Sequence, residues 1–310
     1  MYFLRRTLQT LPVLLIVSFI GFVLIRAMPG GPFDSERKPA SEDIERNLRA
    51  KFHLDEPIWK QYLRYLGLRG GSGGLIKGDL GPSLKYRNHN VNDIIKQCLP
   101  VSMTLGVMSF CFAMFTGIPL GCYMALRRGE WGDHLGGFIA MLSFCIPNIV
   151  VAPLLILWVS VKLHLLPVAL WGSPSQMILP TIVLGLYFSG RIARLMREGL
   201  STTLHSEFVT TARAKGVSES AILWKHAFRL AILPVVSYSG PLLADLLTGS
   251  FVVENIFQIP GIGVFFINSI FNRDHTMTVG LVLVYAALLL ILNMFVDLSY
   301  SLLDRRVRYE

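Results

Sequence analysis

Long apolar runs, separated by shorter charged stretches, set the pattern of this sequence. The first run covers residues 9–28, about the twenty residues that the hydrocarbon core of a bilayer requires. It is too long for a cleaved signal peptide and lacks a small-residue cleavage site, so we expect it to remain as a span. Five more runs follow, at 100–126, 135–161, 178–196, 231–257 and 278–303. The pattern predicts an all-α integral membrane protein with six transmembrane helices.

The apolar runs also divide the chain into parts. Residues 29–99 form a long loop with two predicted amphipathic helices, one at 41–52 capped by Ser41 and one opened by Pro57. Glycines at 70–74 interrupt this loop, which is either a lid on the helix ends or a landing surface for a partner. The other parts are the N-terminus with the first span (1–28), a five-helix core (100–303) that includes a basic segment at 199–230, and a short tail (304–310).

Composition and charge agree with a membrane protein. Hydrophobic residues make up 53% of the chain and charged residues only 16%, against about 25% in soluble domains. The net charge of +9 arises from lysines and arginines at alternate span ends, as the positive-inside rule describes. This places both termini and segment 199–230 in the cytoplasm and loop 29–99 outside. A basic patch for nucleic acid is not indicated, because the charges are not gathered on one soluble face.

Motifs for catalysis or metal binding are missing from the sequence. There is no H-E-x-x-H, the seven histidines are far apart, and none of the four cysteines forms a C-x-x-C pair. No G-x-x-x-x-G-K-[ST] phosphate loop is present either. We therefore expect no catalytic residue, metal or cofactor in this chain, and any ATP must be bound by another polypeptide.

Polar and small residues inside the spans are candidates for a pathway or for helix packing. Buried acids are costly in a membrane, so Asp245, Glu254 and Asp297 have either a pathway role or a structural hydrogen-bonding role. Asp245 is the deepest and the best candidate to face a pathway. Gly117 and Gly121 form a G-x-x-x-G surface that predicts close helix contact.

Segment 199–230 predicts an elbow of two helices joined at Gly216, where a left-handed glycine can close the last turn of the first helix. The first helix is expected to carry an apolar stripe at four-residue spacing, formed by Leu200, Leu204, Phe208 and Ala212. Ser218 is expected to cap the second helix, whose stripe is formed by Ala221, Trp224 and Phe228. Such an elbow can either anchor at the membrane interface or fit a groove on a partner.

The stretch TTARAKG…LP resembles the EAA loop of binding-protein-dependent ABC importer permeases, in which this loop is the coupling helix that docks on the ATPase. Thr210, Thr211 and Ala212 take the E-A-A positions, and Gly216 takes the glycine position. By this resemblance the ATPase-coupling residues are those from Thr210 to Gly216, namely Thr210, Thr211, Ala212, Arg213, Ala214, Lys215 and Gly216. Thr210 replaces the usual acid and the stretch to Leu233 is longer, as in the peptide-and-nickel branch of the family.

Further stretches in sequence order resemble oligopeptide permeases of that branch, among them MPGGPF, KGDLGPSLKYR and TGSFVVENIFQIPGIG. The resemblance implies a type I ABC importer fold in a bacterial inner membrane. It implies as partners a second homologous permease, two ABC ATPases that bind ATP and Mg, and an extracytoplasmic peptide-binding protein. Contact with that binding protein is expected at Pro260, Gly261 and Gly263, unless these residues form only a plain turn.

Three alternatives stay open. The same machinery can carry another cargo, such as a dipeptide, an antimicrobial peptide, a murein peptide or nickel. A proton-coupled secondary transporter would use Asp245 and Glu254. A membrane enzyme would need a nucleophile–base pair or a metal constellation, which the sequence does not offer.

Overall fold

The computed structural model describes residues 2–27, 47, 50, 53, 55–69, 73–86 and 88–303, with the side chains of 2–9, 25, 27 and 297–303 left out. Within this part the chain is helical, and its β-structure is one isolated antiparallel bridge between Pro82 and Asn90. The predicted helix at 41–52 and its Ser41 cap lie outside the described residues, apart from two isolated positions. The predicted all-α class is confirmed.

Thirteen α-helices are described along the chain. They are α1 (Tyr2–Ala27), α2 (Ile58–Leu66), α3 (Val91–Leu126), α4 (Trp131–Cys145), α5 (Asn148–Leu155), α6 (Pro174–Leu204), α7 (Glu207–Ala214), α8 (Glu219–Ala221), α9 (Phe228–Ala231), α10 (Leu233–Leu247), α11 (Phe251–Ile256), α12 (Ile262–Phe271) and α13 (His275–Leu303). A π-helical segment (Ile156–Lys162) continues α5, and another (Ile222–Ala227) joins α8 to α9.

Four stretches of the described chain are long and apolar enough to cross a membrane: Val91–Leu126, Pro174–Leu204, Leu233–Ile256 and His275–Val296. Helix α4 and the α5 segment together pass the same test, but they are bent by 100° at Ile146–Pro147. Counted as one broken span, the pair brings the total to five. The first predicted span coincides with α1, whose apolar described part is the shorter Thr10–Leu24.

Contacts divide the chain into two compact units. One unit comprises Phe3–Pro100 and Gly261–Ala287, and its core is formed by aliphatic side chains of α3, α12 and α13. Asp274, almost fully buried, ties the loop before α3 to this unit. It accepts hydrogen bonds from the Ser83 hydroxyl and from the Leu84 and Met277 amides, the last two at 3.2 and 3.1 Å. Residues 83–84 of the long loop are thus part of a packed structure.

The other unit comprises Val101–Pro260 and Leu288–Glu310, and α6 supplies much of its core. Helices α3 and α6 approach each other closely because of glycine. A Cβ on Gly117 would stand 2.6 Å from the Ser189 carbonyl oxygen, and one on Gly121 would meet the Ala193 carbonyl and the Met196 side chain. The G-x-x-x-G prediction is confirmed, because only glycine permits this backbone approach.

A candidate coupling site between two spans

The segment between α6 and α10, residues 205–232, forms the predicted elbow, but its first limb is shorter than expected. Helix α6 ends at Leu204 and α7 begins at Glu207, so one continuous apolar stripe from Leu200 to Ala212 is wrong. The break has a local cause. The Ser206 hydroxyl donates to the Thr203 carbonyl at 2.6 Å, and so satisfies one of the carbonyls at the end of α6.

Gly216 closes the first limb as the sequence predicts. Its φ of 76° lies in the left-handed region, and its amide donates to the Arg213 carbonyl oxygen at 2.9 Å. A Cβ at this position would have nothing within 4 Å. Glycine is therefore favoured here by the backbone conformation and not by lack of space.

An ion pair joins the two limbs across this turn. The Arg213 guanidinium donates to both carboxylate oxygens of Glu219, at 2.7 and 3.1 Å. The six-residue spacing is not a helical one, so the sequence pattern gave no signal for the pair. The hydrogen bonds from Arg213 lower the pKa of Glu219 below its ordinary value of 4.5.

The pH response of the elbow follows from this shift. A carboxyl group with a depressed folded-state pKa contributes stability above its ordinary pKa, and that stability is lost as the pH falls through the folded value. Spin labels at positions 211 and 220, in a background without the four native cysteines, should give one narrow distance distribution from neutral pH down to about pH 5. In the wild-type elbow we expect the distance distribution to broaden only below about pH 4.5. In Glu219→Gln, which lacks the carboxylate, we expect a broad distribution at every pH. An unchanged distribution in Glu219→Gln would contradict a role of the pair in holding the turn.

The second limb buries a different face from the predicted one. Ser218 occupies the N-cap position of α8 but makes no side-chain capping hydrogen bond. The buried residues are Ile222, Ala227 and Ala231, while Trp224 is 59% exposed. The cause is the π-helical segment, in which residues five apart, such as Ile222 and Ala227, share a face.

This second limb is joined tightly to α6. A Cβ on Gly199 would collide with the Ala231 carbonyl oxygen, so the two backbones touch at this point. Ala227 and Ala231 belong to the same hydrophobic core as Met196 and Leu200 of α6. Movement of the second limb must therefore move α6 with it.

The first limb is instead open to solvent. Thr210, Thr211 and the residues from Arg213 to Gly216 are exposed, Ala212 is half-buried, and Val209 is fully buried. The Thr211 hydroxyl donates to the Glu207 carbonyl oxygen at 2.9 Å. All seven predicted coupling residues thus lie together on one exposed limb, next to a second limb that is packed on a span.

The three acids singled out in the spans have different surroundings. Asp245 is exposed on α10, and Glu254 is fully buried in α11, where its Oε1 accepts from the Ser102 hydroxyl at 2.6 Å. Glu254 therefore links two helices within its unit. The side chain of Asp297 lies outside the described residues.

The predicted contact with a binding protein is only partly accessible. Pro260 is exposed, but Gly261 at the start of α12 and Gly263 within it are buried in the single chain. Contact of this stretch with a binding protein stays a prediction, with Pro260 as its exposed member. Within the described part of the chain, no three histidine, cysteine, aspartate or glutamate side chains come together as metal ligands do.

Comparisons with known proteins cover the whole chain. Residues 1–106 match the N-terminal part, and residues 117–309 the main part, of the family described as binding-protein-dependent transport system inner membrane component. The oligopeptide transport system permease protein OppB of Haemophilus influenzae is 40% identical over 310 residues, with 99% of each chain covered. The dipeptide transport system permease protein DppB of Bacillus subtilis is also 40% identical, over 99% of this chain and 97% of its own.

A solved structure shares the fold. A chain of the MetNI methionine ABC transporter in an inward-facing conformation has a TM-score of 0.57 and 17% sequence identity, and covers 68% of this chain and 97% of its own. The expected importer fold is confirmed by this likeness, and the family by the matches along the sequence. The chain belongs to the inner membrane components of binding-protein-dependent transport systems.

Proposed function

We propose that this chain is the permease subunit of an ATP-driven ABC importer of peptides, and that it forms half of the translocation pathway. The relatives that match it over nearly their full length are named for oligopeptide or dipeptide transport. The oligopeptide permease of Haemophilus influenzae and the dipeptide permease of Bacillus subtilis are each 40% identical to this chain. Oligopeptides are the cargo we favour and dipeptides the nearest alternative.

The observation that carries the proposal is the structure of the elbow. Its first limb carries the seven residues from Thr210 to Gly216, all exposed except the half-buried Ala212, and its second limb touches α6 backbone to backbone at Gly199. An exposed limb provides a surface for a partner, and a packed limb transmits the partner's movement to a span. This combination favours coupling over a membrane anchor, which would bury its apolar side in lipid.

The proposed assembly contains a second, similar permease, two ATPases that bind ATP and Mg, and an extracytoplasmic binding protein that delivers the peptide. The elbow and both termini lie in the cytoplasm. Closure of the ATPase dimer would draw the elbows together and turn the helices outward. ATP drives this change because the ATPases bind it with different affinity in the two conformations of the transporter. The peptide itself therefore needs no covalent change.

A pull-down tests this function directly. The tagged chain is purified from gently solubilised membranes, together with a variant in which residues 210–216 are scrambled. We expect the native chain to bring down a second permease and phosphate-loop ATPases, and the scrambled variant to lose the ATPases but keep the permease. A native chain that is isolated alone, and moves peptide when reconstituted alone, would overturn the proposal in favour of a secondary transporter.

A further inference from the structure

One face of α6 carries polar and charged side chains although the helix is long and apolar enough to cross a membrane. The exposed residues of this face are Tyr187, Arg191, Arg194 and Glu198. Their spacing of four, three and four residues places them on one stripe of the helix. Exposed large hydrophobic side chains such as Phe115 on α3 and Ile178 near the start of α6 lie outside this stripe. An arginine in hydrocarbon costs about 2.5 kcal/mol or more, so this stripe faces water or protein and not lipid.

Helix α10 has a matching face. Pro234, Ser237, Pro241 and Asp245 are exposed, and their spacing of three, four and four residues again places them on one stripe. Asp245 is its only charge. Within the described part of the chain, its carboxylate forms no hydrogen bond or ion pair with a side chain.

Arg191 joins the two stripes into one surface. Its guanidinium carbon lies 4.9 Å from the centre of the Tyr238 ring, on α10. A guanidinium has five N–H donors, so Arg191 has N–H groups left to bind a carboxylate while it lies over the Tyr238 ring. We call the surface of Tyr187, Arg191, Tyr238 and Asp245 the charged face.

The two charges of this face have opposite sign and lie at different positions along the length of α10. Asp245 follows Tyr238 by seven residues, or about 10 Å along a helix. An extended peptide of about three residues has a similar length. The α-amino group of such a peptide could then contact Asp245 while its terminal carboxylate contacts Arg191.

We propose that the charged face lines the translocation pathway and binds short peptides by their ends, with Asp245 holding the α-amino group and Arg191 the terminal carboxylate. This inference rests on the proposed function, since it names how the cargo of that importer is recognised. Charge complementarity favours a zwitterionic peptide over an apolar or purely anionic solute. The other occupant that could cover the face is a charged surface of the second permease.

The test uses the complete transporter in proteoliposomes, with its binding protein saturated by each of three peptides: trialanine, N-acetyl-trialanine and trialanine amide. Asp245→Asn should slow uptake of trialanine and its amide about tenfold and change uptake of the acetylated peptide little. Arg191→Gln should slow trialanine and the acetylated peptide by a similar factor and spare the amide. Asp93→Asn, which neutralises an exposed aspartate at the start of α3, is the matched control and should change none of the three rates.

The outcomes separate the inference from the function on which it rests. Wild-type rates for all three peptides in both variants would overturn the inference. An equal loss for all three would also overturn it, and would assign the face to contact with the second permease. In either case peptide uptake by the wild-type transporter leaves the proposed function standing, whereas a wild-type transporter that moves no peptide refutes both.

Discussion

Replacing Gly216 with valine should lower peptide uptake at least about tenfold while the subunit remains in the membrane. Gly216 has a φ of 76°, and a side chain in this left-handed region costs about 1–2 kcal/mol, with β-branched residues the worst placed. The space around it is open, so the fault lies in the turn alone and not in packing. An altered turn would misalign the exposed limb with the ATPase, and a change of about 1.4 kcal/mol is already tenfold in an equilibrium.

Uptake of a labelled tripeptide, normalised to the amount of subunit in the membrane, measures this effect. Gly216→Asn is the matched control, because asparagine adopts the left-handed conformation more readily than other residues and should retain most of the uptake. Gly216→Val with wild-type uptake would show that the turn does not transmit movement. The same variant missing from the membrane would instead point to a role in folding.

Replacing Gly199 with valine should uncouple ATP hydrolysis from uptake. A Cβ at this position would overlap the Ala231 carbonyl oxygen, which belongs to the backbone of α9 and cannot turn away as a side chain can. Overpacking of this kind costs about 1–3 kcal/mol or more, and here it would force α9 away from α6. The exposed limb is not touched, so the ATPases should still bind while uptake falls by about tenfold or more.

Three measurements on one preparation check this result: ATPase content after pull-down, ATPase activity with peptide-loaded binding protein, and uptake. The matched control is Gly137→Val on α4, where a Cβ would have nothing within 4 Å. We expect Gly137→Val to behave like wild type in all three. Normal uptake by Gly199→Val would mean that the contact at Ala231 does not carry the movement.

Much of the fold follows from patterns that are local in the sequence. Five of the six predicted spans match helices that are long and apolar enough to cross a membrane, with the bent pair counted as one, and the first run matches only the shorter apolar helix Thr10–Leu24 among the described residues. These runs could be predicted because each run alone decides whether a segment can exist in a bilayer. The turn at Gly216 and the start of α2 after Pro57 are also local, since each depends on the backbone preference of one residue.

Other features depend on contacts that no periodicity records. The break after Leu204 and the ion pair of Arg213 with Glu219 come from side chains that bond over turns rather than along helices. Span five is interrupted at Gly249, which has a φ of 87°, although its hydropathy is continuous. Of the charged face, the sequence indicated only Asp245. The contact of Arg191 with Tyr238 could not be predicted, because it forms only when α6 and α10 pack together.

The π-helical segment Ile222–Ala227 has a consequence for how this elbow can vary between proteins. A π-turn contains one residue more than an α-turn. Deletion of a single residue there would leave an ordinary α-helix, with Ala227 and Ala231 still seated on α6. Because the π-turn and the α-turn each complete one full turn of the helix, everything before the deletion would keep close to its present orientation. A change of one residue in the length of this segment can therefore be absorbed here, without re-aiming the exposed limb and without repacking the span.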